Sequence, residues 1–205
     1  VSVGVKPAGW TGSLVANAAD ETRKARRAYG EQLEREYRQN TNFKYETVPG
    51  QTQIPGAEPY DTIATGKAKK SELAVCVYIL IANCYDVKQI TGWSGNVAAA
   101  AYPGDENEGQ NAYRHFTWQA MITAKHGAQT AEMVADAHEA YGDREGHNYA
   151  DHLSDLVNKK YGRQMGEKIA AANPGASESQ LRDAITREAK NYMTTGNYAR
   201  PNDFK

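Results

Sequence analysis

The sequence predicts a mainly α-helical fold: a compact multi-helix domain with an N-terminal helix and a long irregular segment before it. Three observations predict it. From Lys70 onward the apolar residues recur at helical spacing. The breaks between those stretches carry Pro, Gly and Asn, as in Pro103-Gly104 and Asn173-Pro174-Gly175. Ahead of them, residues 41–69 hold Pro49, Pro55 and Pro59 among several Gly and Thr, which marks a long irregular stretch.

Taken in order, residues 1–12 read as a lead-in with Gly4, Pro7, Gly9 and Gly12. Ser13 is expected to cap a helix running to about Gln39. Its apolar stripe is thin (Leu14, Ala18, Ala25, Tyr29, Leu33, Tyr37), so the helix is expected to be mostly solvated or packed on a partner. The basic run Arg23 to Arg27 fits a solvated face better than a phosphate contact. Short strands are expected around Phe43 to Val48. A soft boundary falls here, giving an N-terminal arm, 1–69, and a helical domain, 70–205.

Within the domain, Ser71 can cap a helix through Cys84. A second helix is expected from Asp86 to Ala101, interrupted near Gly92 and Gly95. Further helices are expected at about 109–125, 128–141, 147–162 and 164–172. The last is capped at Ser177, where Ser177-x-x-Gln180 has the form of a capping box, and runs to about Thr194 on a stripe of Leu181, Ile185 and Ala189.

Composition narrows the function. Lys and Arg number 24 against 25 Asp and Glu, a net charge of −1, which argues against nucleic acid as partner. The most apolar run, Leu73 to Cys84, is too short for a transmembrane helix. The opening Val-Ser-Val-Gly-Val lacks the basic start and apolar core of a signal peptide, so a domain of a longer protein, or cargo of another export route, is expected. Cys76 and Cys84 on one continuous helix would lie about 12 Å apart along its axis, too far for a disulfide. A bend would allow one; two buried thiols are the expectation.

The chemistry concentrates in three places. Asn111-Ala-Tyr-Arg-His-Phe-Thr-Trp-Gln-Ala-Met121 reads as a helix apolar on nearly every side, yet it carries Arg114 and His115. Buried charge is costly unless paired or used. At helical spacing Arg114 meets Trp118, and His115 meets Gln119. On the next helix His138 falls on the apolar stripe of Ala131, Val134 and Ala135, so it should point inward. Asp136 and Glu139 flank that edge. On the third, Tyr149, Ala150, Leu153, Leu156, Val157 and Tyr161 form the buried side, and His147, Asp151, Asp155 and Asn158 form a polar ladder. Carboxylates and imidazole of this kind can ligate a divalent metal, with Asp136 and Asp155 as the candidate ligands. Arg163 can bind phosphate or carboxylate, or act as a structural partner of Asp136, Glu139 or Asp155. His126 and His152 are expected at the surface.

These blocks, Asn111-Ala-Tyr-Arg114-His115-Phe-Thr-Trp118-Gln119-Ala120, Asp136-Ala-His138-Glu139 and Asp155-Leu-Val-Asn158-Lys-Lys-Tyr-Gly162-Arg163, together resemble a bacterial domain of unassigned function. That domain stands at the C-terminal ends of Rhs-repeat, contact-dependent-inhibition and other polymorphic toxins. The resemblance covers about residues 70–166 and departs at Lys159, where the family often has a second Asn. It implies a secreted antibacterial effector with a small immunity protein as partner. It supplies no reaction.

The residue types supply two readings. In the first, a hydrolase cleaves a phosphoester, an envelope lipid or a lipid-linked cell-wall precursor, in the periplasm or envelope. Arg114 holds an anionic group and His115 or His138 moves a proton. Glu139 and Asp136 orient a histidine or hold a metal. Trp118, Gln119, Asn158 and Arg163 line the substrate. A glycosidase with Glu139 as general acid is the runner-up chemistry; a nuclease is a further alternative. In the second reading the polar clusters are a structural network, and the domain acts by membrane insertion or partner binding.

Overall fold

The computed structural model describes residues 9–39, 60–63, 66–69, 75, 81–105, 108–145 and 147–205. They are mainly helical. Six helices are α1 (Gly9–Gln39), α2 (Ile81–Ala101), α3 (Gly109–His126), α4 (Ala128–Glu145), α5 (Tyr149–Ala172) and α6 (Glu178–Thr194). A two-stranded antiparallel hairpin, Tyr60–Ile63 with Gly66–Lys69, precedes α2. A 3-10 turn, Pro201–Asp203, follows α6. The strands expected around residues 43–48 and the cap at Ser71 lie outside the described residues.

Helix α3 is the hub, packing on α2, α4, α5 and α6. Its residues from His115 to Thr123 are all buried, as expected for a helix apolar on nearly every side. Phe116, Met121 and Ile122 join Ile90 of α2, Val134 of α4, Ile169 of α5 and Ile185 of α6 in the main core. Gly127 alone separates α3 from α4, with φ of +86°, a conformation that a side chain would strain. The capping box on α6 is present: Ser177 Oγ accepts from the Gln180 backbone, and Gln180 Oε1 accepts from the Ser177 backbone.

Helix α1 starts at Gly9, so Ser13 lies inside it rather than capping it. Its outer face is solvated, but its second half docks on α5. Leu33 and Tyr37 pack with Ala150, Leu153, Leu156 and Val157, and with Ala199 and Phe204 of the C-terminal segment. Arg26 also pairs with Asp203 at 2.7 Å. Helix α1 of the N-terminal arm thus packs on α5 and the C-terminal segment.

Two glycine readings change. Helix α2 runs unbroken through Gly92 and Gly95, because an interior glycine costs a helix only about 1 kcal/mol. Helix α5 runs unbroken through Gly162, where two helices were expected. A Cβ at Gly162 would sit 2.5 Å from the Phe116 carbonyl oxygen, and one at Gly166 would sit 2.4 Å from that of Ala120. These glycines let α5 lie directly on the α3 backbone, which brings the polar residues of the two helices together. Gly162→Ala should thus cost about 1–3 kcal/mol as the helices are forced apart. A calorimetric melt checks this, and an unchanged melting temperature would contradict the close approach.

Cys84 is disulfide-bonded, which corrects the expectation of two buried thiols. The chain's other cysteine, Cys76, lies outside the described residues. Among the described residues no helix is long and apolar enough to cross a membrane.

Candidate functional site

The α3–α5 contact sorts the polar residues into two clusters. The first reaches solvent. Asp155 on α5 faces α3, where its Oδ1 accepts from Asn111 Nδ2 at 2.7 Å and its Oδ2 lies 3.1 Å from His115 Nε2. Asn111 and His115 are four apart on α3 and hold the two oxygens of one carboxylate. Arg114 is exposed beside them. Its Nη2 donates to Asn111 Oδ1 at 2.6 Å and lies 3.3 Å from His115 Nε2.

His115 itself is only 1% exposed. Its ring lies edge-on to that of His138 at 5.6 Å, and both rings meet Trp118, at 6.1 and 5.4 Å. His138 is half-buried and faces α3, on the inward stripe its spacing predicts. Arg114 does not pair with Trp118 in the way helical spacing suggested: its guanidinium is drawn to Asn111. The cation over the Trp118 ring is Lys159 Nζ, at 5.8 Å. The Trp118 indole donates to Thr91 Oγ1 at 2.9 Å, which fixes the ring against α2.

The second cluster is buried. Lys159, 0% exposed, donates to Glu139 Oε1, and the other Glu139 oxygen meets His152 Nδ1. His152 Nε2 in turn meets Glu34 of α1, which Arg38 also holds, at 2.7 Å. This chain links α4, α5 and α1. Burial works to raise the Glu139 carboxyl, but Lys159 and His152 outweigh it and hold it near a pKa of about 2. Burial works to lower the His152 imidazole, but its bonds to Glu139 and Glu34 outweigh that and raise it to about 9. Glu139 is therefore held ionised, with its two oxygens taken by Lys159 and His152. His152, expected at the surface, is an interior cation. His126, also expected there, is mostly buried and lies 2.6 Å from Asp86.

Stability should follow His152. Its folded pKa of about 9 lies above the ordinary histidine value of 6.5. The proton's contribution is thus complete below pH 6.5 and lost as pH rises to about 9. The loss should be on the order of 3 kcal/mol, read by urea unfolding across that range. A flat profile would contradict the buried imidazolium.

The remaining expected site residues are committed elsewhere. Asn158 Nδ2 donates to the Ala199 carbonyl at 2.9 Å; its Oδ1 accepts from the Ala199 backbone and from Tyr192 at 2.9 Å each. It clamps the C-terminal segment, with both lone pairs of its oxygen occupied. Arg163 donates to Gln119 Oε1 at 3.2 Å and lies 3.5 Å from Glu132, inside the α3–α4–α5 junction. Asp136 is buried and acts electrostatically on Arg163. Among the described residues no group of three or more His, Cys, Asp or Glu side chains is placed to hold a metal ion.

The expected buried stripe on α5 also shifts. Tyr149 is 55% exposed, while His152, Ser154, Asn158 and Lys159 are buried. The reason is that α5 is covered by α3 on one side and α1 on the other, so it has no single wet face. Asn111, Glu34, His152 and Lys159 went unassigned from sequence. Only Asn111 had a signal, its four-residue spacing from His115.

None of the curated proteins and none of the solved structures matches this chain. One family model does match, over residues 74–193, which is more than half of the chain and spans α2 to α6, including Asn111, Arg114, His115, His138, Glu139 and Asp155. The chain belongs to that family, described as a domain of unknown function (DUF6973).

Proposed function

We propose that the chain is an antibacterial effector domain that hydrolyses a phosphoester at the cluster of Asn111, Arg114, His115, His138 and Asp155. The observation that carries this is the His115–Asp155 pair, 3.1 Å apart, with an exposed arginine beside it. Arg114 binds the anionic group of the substrate, for which a guanidinium has the geometry. The His115–Asp155 pair takes a proton from water as the water oxygen bonds to phosphorus. The same pair returns that proton to the leaving oxygen as its bond to phosphorus breaks. Asn111 fixes the carboxylate, and the Trp118 and His138 rings fix His115.

Three motif blocks in order support the effector reading, with a small immunity protein as cognate partner. The Cys84 disulfide supports action in an oxidising compartment, hence delivery to the periplasm or envelope and a substrate there. The near-neutral charge argues against nucleic acid.

A non-enzymatic helical toxin is the second reading. The chain of Glu34, His152, Glu139 and Lys159 favours it, because most of the polar residues there serve packing. Bacterial growth separates the two. The chain should arrest growth when exported and spare it when kept in the cytoplasm. His115→Ala should lose toxicity while remaining folded. Undiminished toxicity of a folded His115→Ala would favour the non-enzymatic reading.

A further inference from the structure

The ring that backs the His115–Asp155 pair is fixed by a residue on another helix. Trp118 is 5% exposed, and a buried indole N–H needs an acceptor. Thr91 of α2 supplies it, with its Oγ1 2.9 Å from Trp118 Nε1. The Thr91 hydroxyl gives its own proton to the Val87 carbonyl one helical turn back, at 2.8 Å. Its oxygen is therefore turned to accept, and the direction of that acceptor is set by the α2 backbone. The indole then packs against His115 at 6.1 Å and His138 at 5.4 Å, with ring planes 59° and 68° apart. The two imidazoles meet edge-on at 5.6 Å. Ring packing tolerates sliding and rotation; the hydrogen bond at the indole edge is the directional contact.

We infer that Thr91 is a positioning residue for the His115–Asp155 pair, acting through Trp118. This rests on the hydrolase reading above. Thr91 sets the indole, the indole sets the His115 ring, and that ring carries Nε2 to Asp155 Oδ2 at 3.1 Å. Without the acceptor, the buried N–H loses its bond and the ring is free to turn towards another. A displacement of about 1 Å at a reacting group costs about 100-fold in rate. Thr91 itself is exposed on α2. Valine has its shape and nearly its helix propensity, so Thr91→Val removes the acceptor and leaves the helix intact.

The test compares Thr91→Val and Thr91→Ser with the parent, each as the whole chain. One readout is hydrogen exchange of the Trp118 indole N–H by NMR, its signal assigned among the three tryptophans with Trp118→Phe. The other is steady-state kinetics on bis(p-nitrophenyl) phosphate and p-nitrophenyl phosphate. In Thr91→Val the indole N–H should exchange at least about tenfold faster. The kcat should fall at least about tenfold, while KM stays within about twofold. Thr91→Ser keeps the oxygen and should bring both readouts to within about threefold of the parent. A folded Thr91→Val with the parent's kcat would overturn the inference and leave the hydrolase reading standing. A loss of kcat that Thr91→Ser does not recover, or that comes with unchanged indole exchange, would also overturn it, because the hydrogen bond would not be the cause. Failure of the folded parent to cleave either phosphoester would overturn the hydrolase reading, and the inference with it.

Discussion

Glu139→Ala should destabilise the protein by about 3–5 kcal/mol, the usual cost of breaking a buried ion pair from one side. The carboxylate is 4% exposed and carries both Lys159 and His152. Without it, a fully buried ammonium and a buried imidazolium lose their common partner, and Lys159 Nζ is left over the Trp118 ring at 5.8 Å. For a chain of this length the melting temperature should fall by roughly 6–20 °C. Replacing Lys159 by Met together with Glu139 by Gln removes both charges at similar volume, and should recover much of the loss. A Glu139→Ala variant that melts with the parent would mean that the pair is not a lock. The same reasoning makes Glu139→Ala a poor probe of catalysis, since loss of function would follow from loss of fold.

Asp155→Asn should behave in the opposite way. The amide is isosteric, and its oxygen can still accept a bond from α3, so the fold should hold and the melting temperature should move by no more than a few degrees. What is lost is the negative charge beside His115 Nε2, and with it the proton-handling pair. General acid–base groups contribute about 10²–10⁴-fold in rate, and phosphoester turnover should fall by that amount. Arg114→Ala should act on substrate affinity more than on the proton step, because the guanidinium is exposed and its shortest side-chain contact is to Asn111.

The two variants divide a polar set that looked like one site in the sequence. Helix order, the breaks at Gly104 and Pro174, the capping box at Ser177 and the burial of α3 all follow from local signals. Spacing alone placed His138 toward α3. Other features depend on contacts between segments far apart in the chain. His152 is buried because α1 covers α5 from more than a hundred residues away, and nothing near position 152 announces Glu34; Lys159 is buried against Glu139 of α4 and Trp118 of α3. Gly162 reads as a helix end in isolation and becomes a contact surface only when the Phe116 carbonyl is seen against it. Asn158 reads as a site amide until the returning C-terminal segment occupies it through Ala199. The sequence distinguishes polar residues that must be buried from those that need not be. It does not distinguish a buried lock from a working pair, since both require charge inside an apolar helix.

The most direct test exports Asp155→Asn beside the parent chain in the same bacterial host, with the melting temperature of each purified protein measured in parallel. The account predicts growth arrest by the parent, growth restored in the variant, and melting temperatures within a few degrees of each other. Growth arrest by a stably folded Asp155→Asn would contradict it, because the proposed proton-handling pair would then be dispensable.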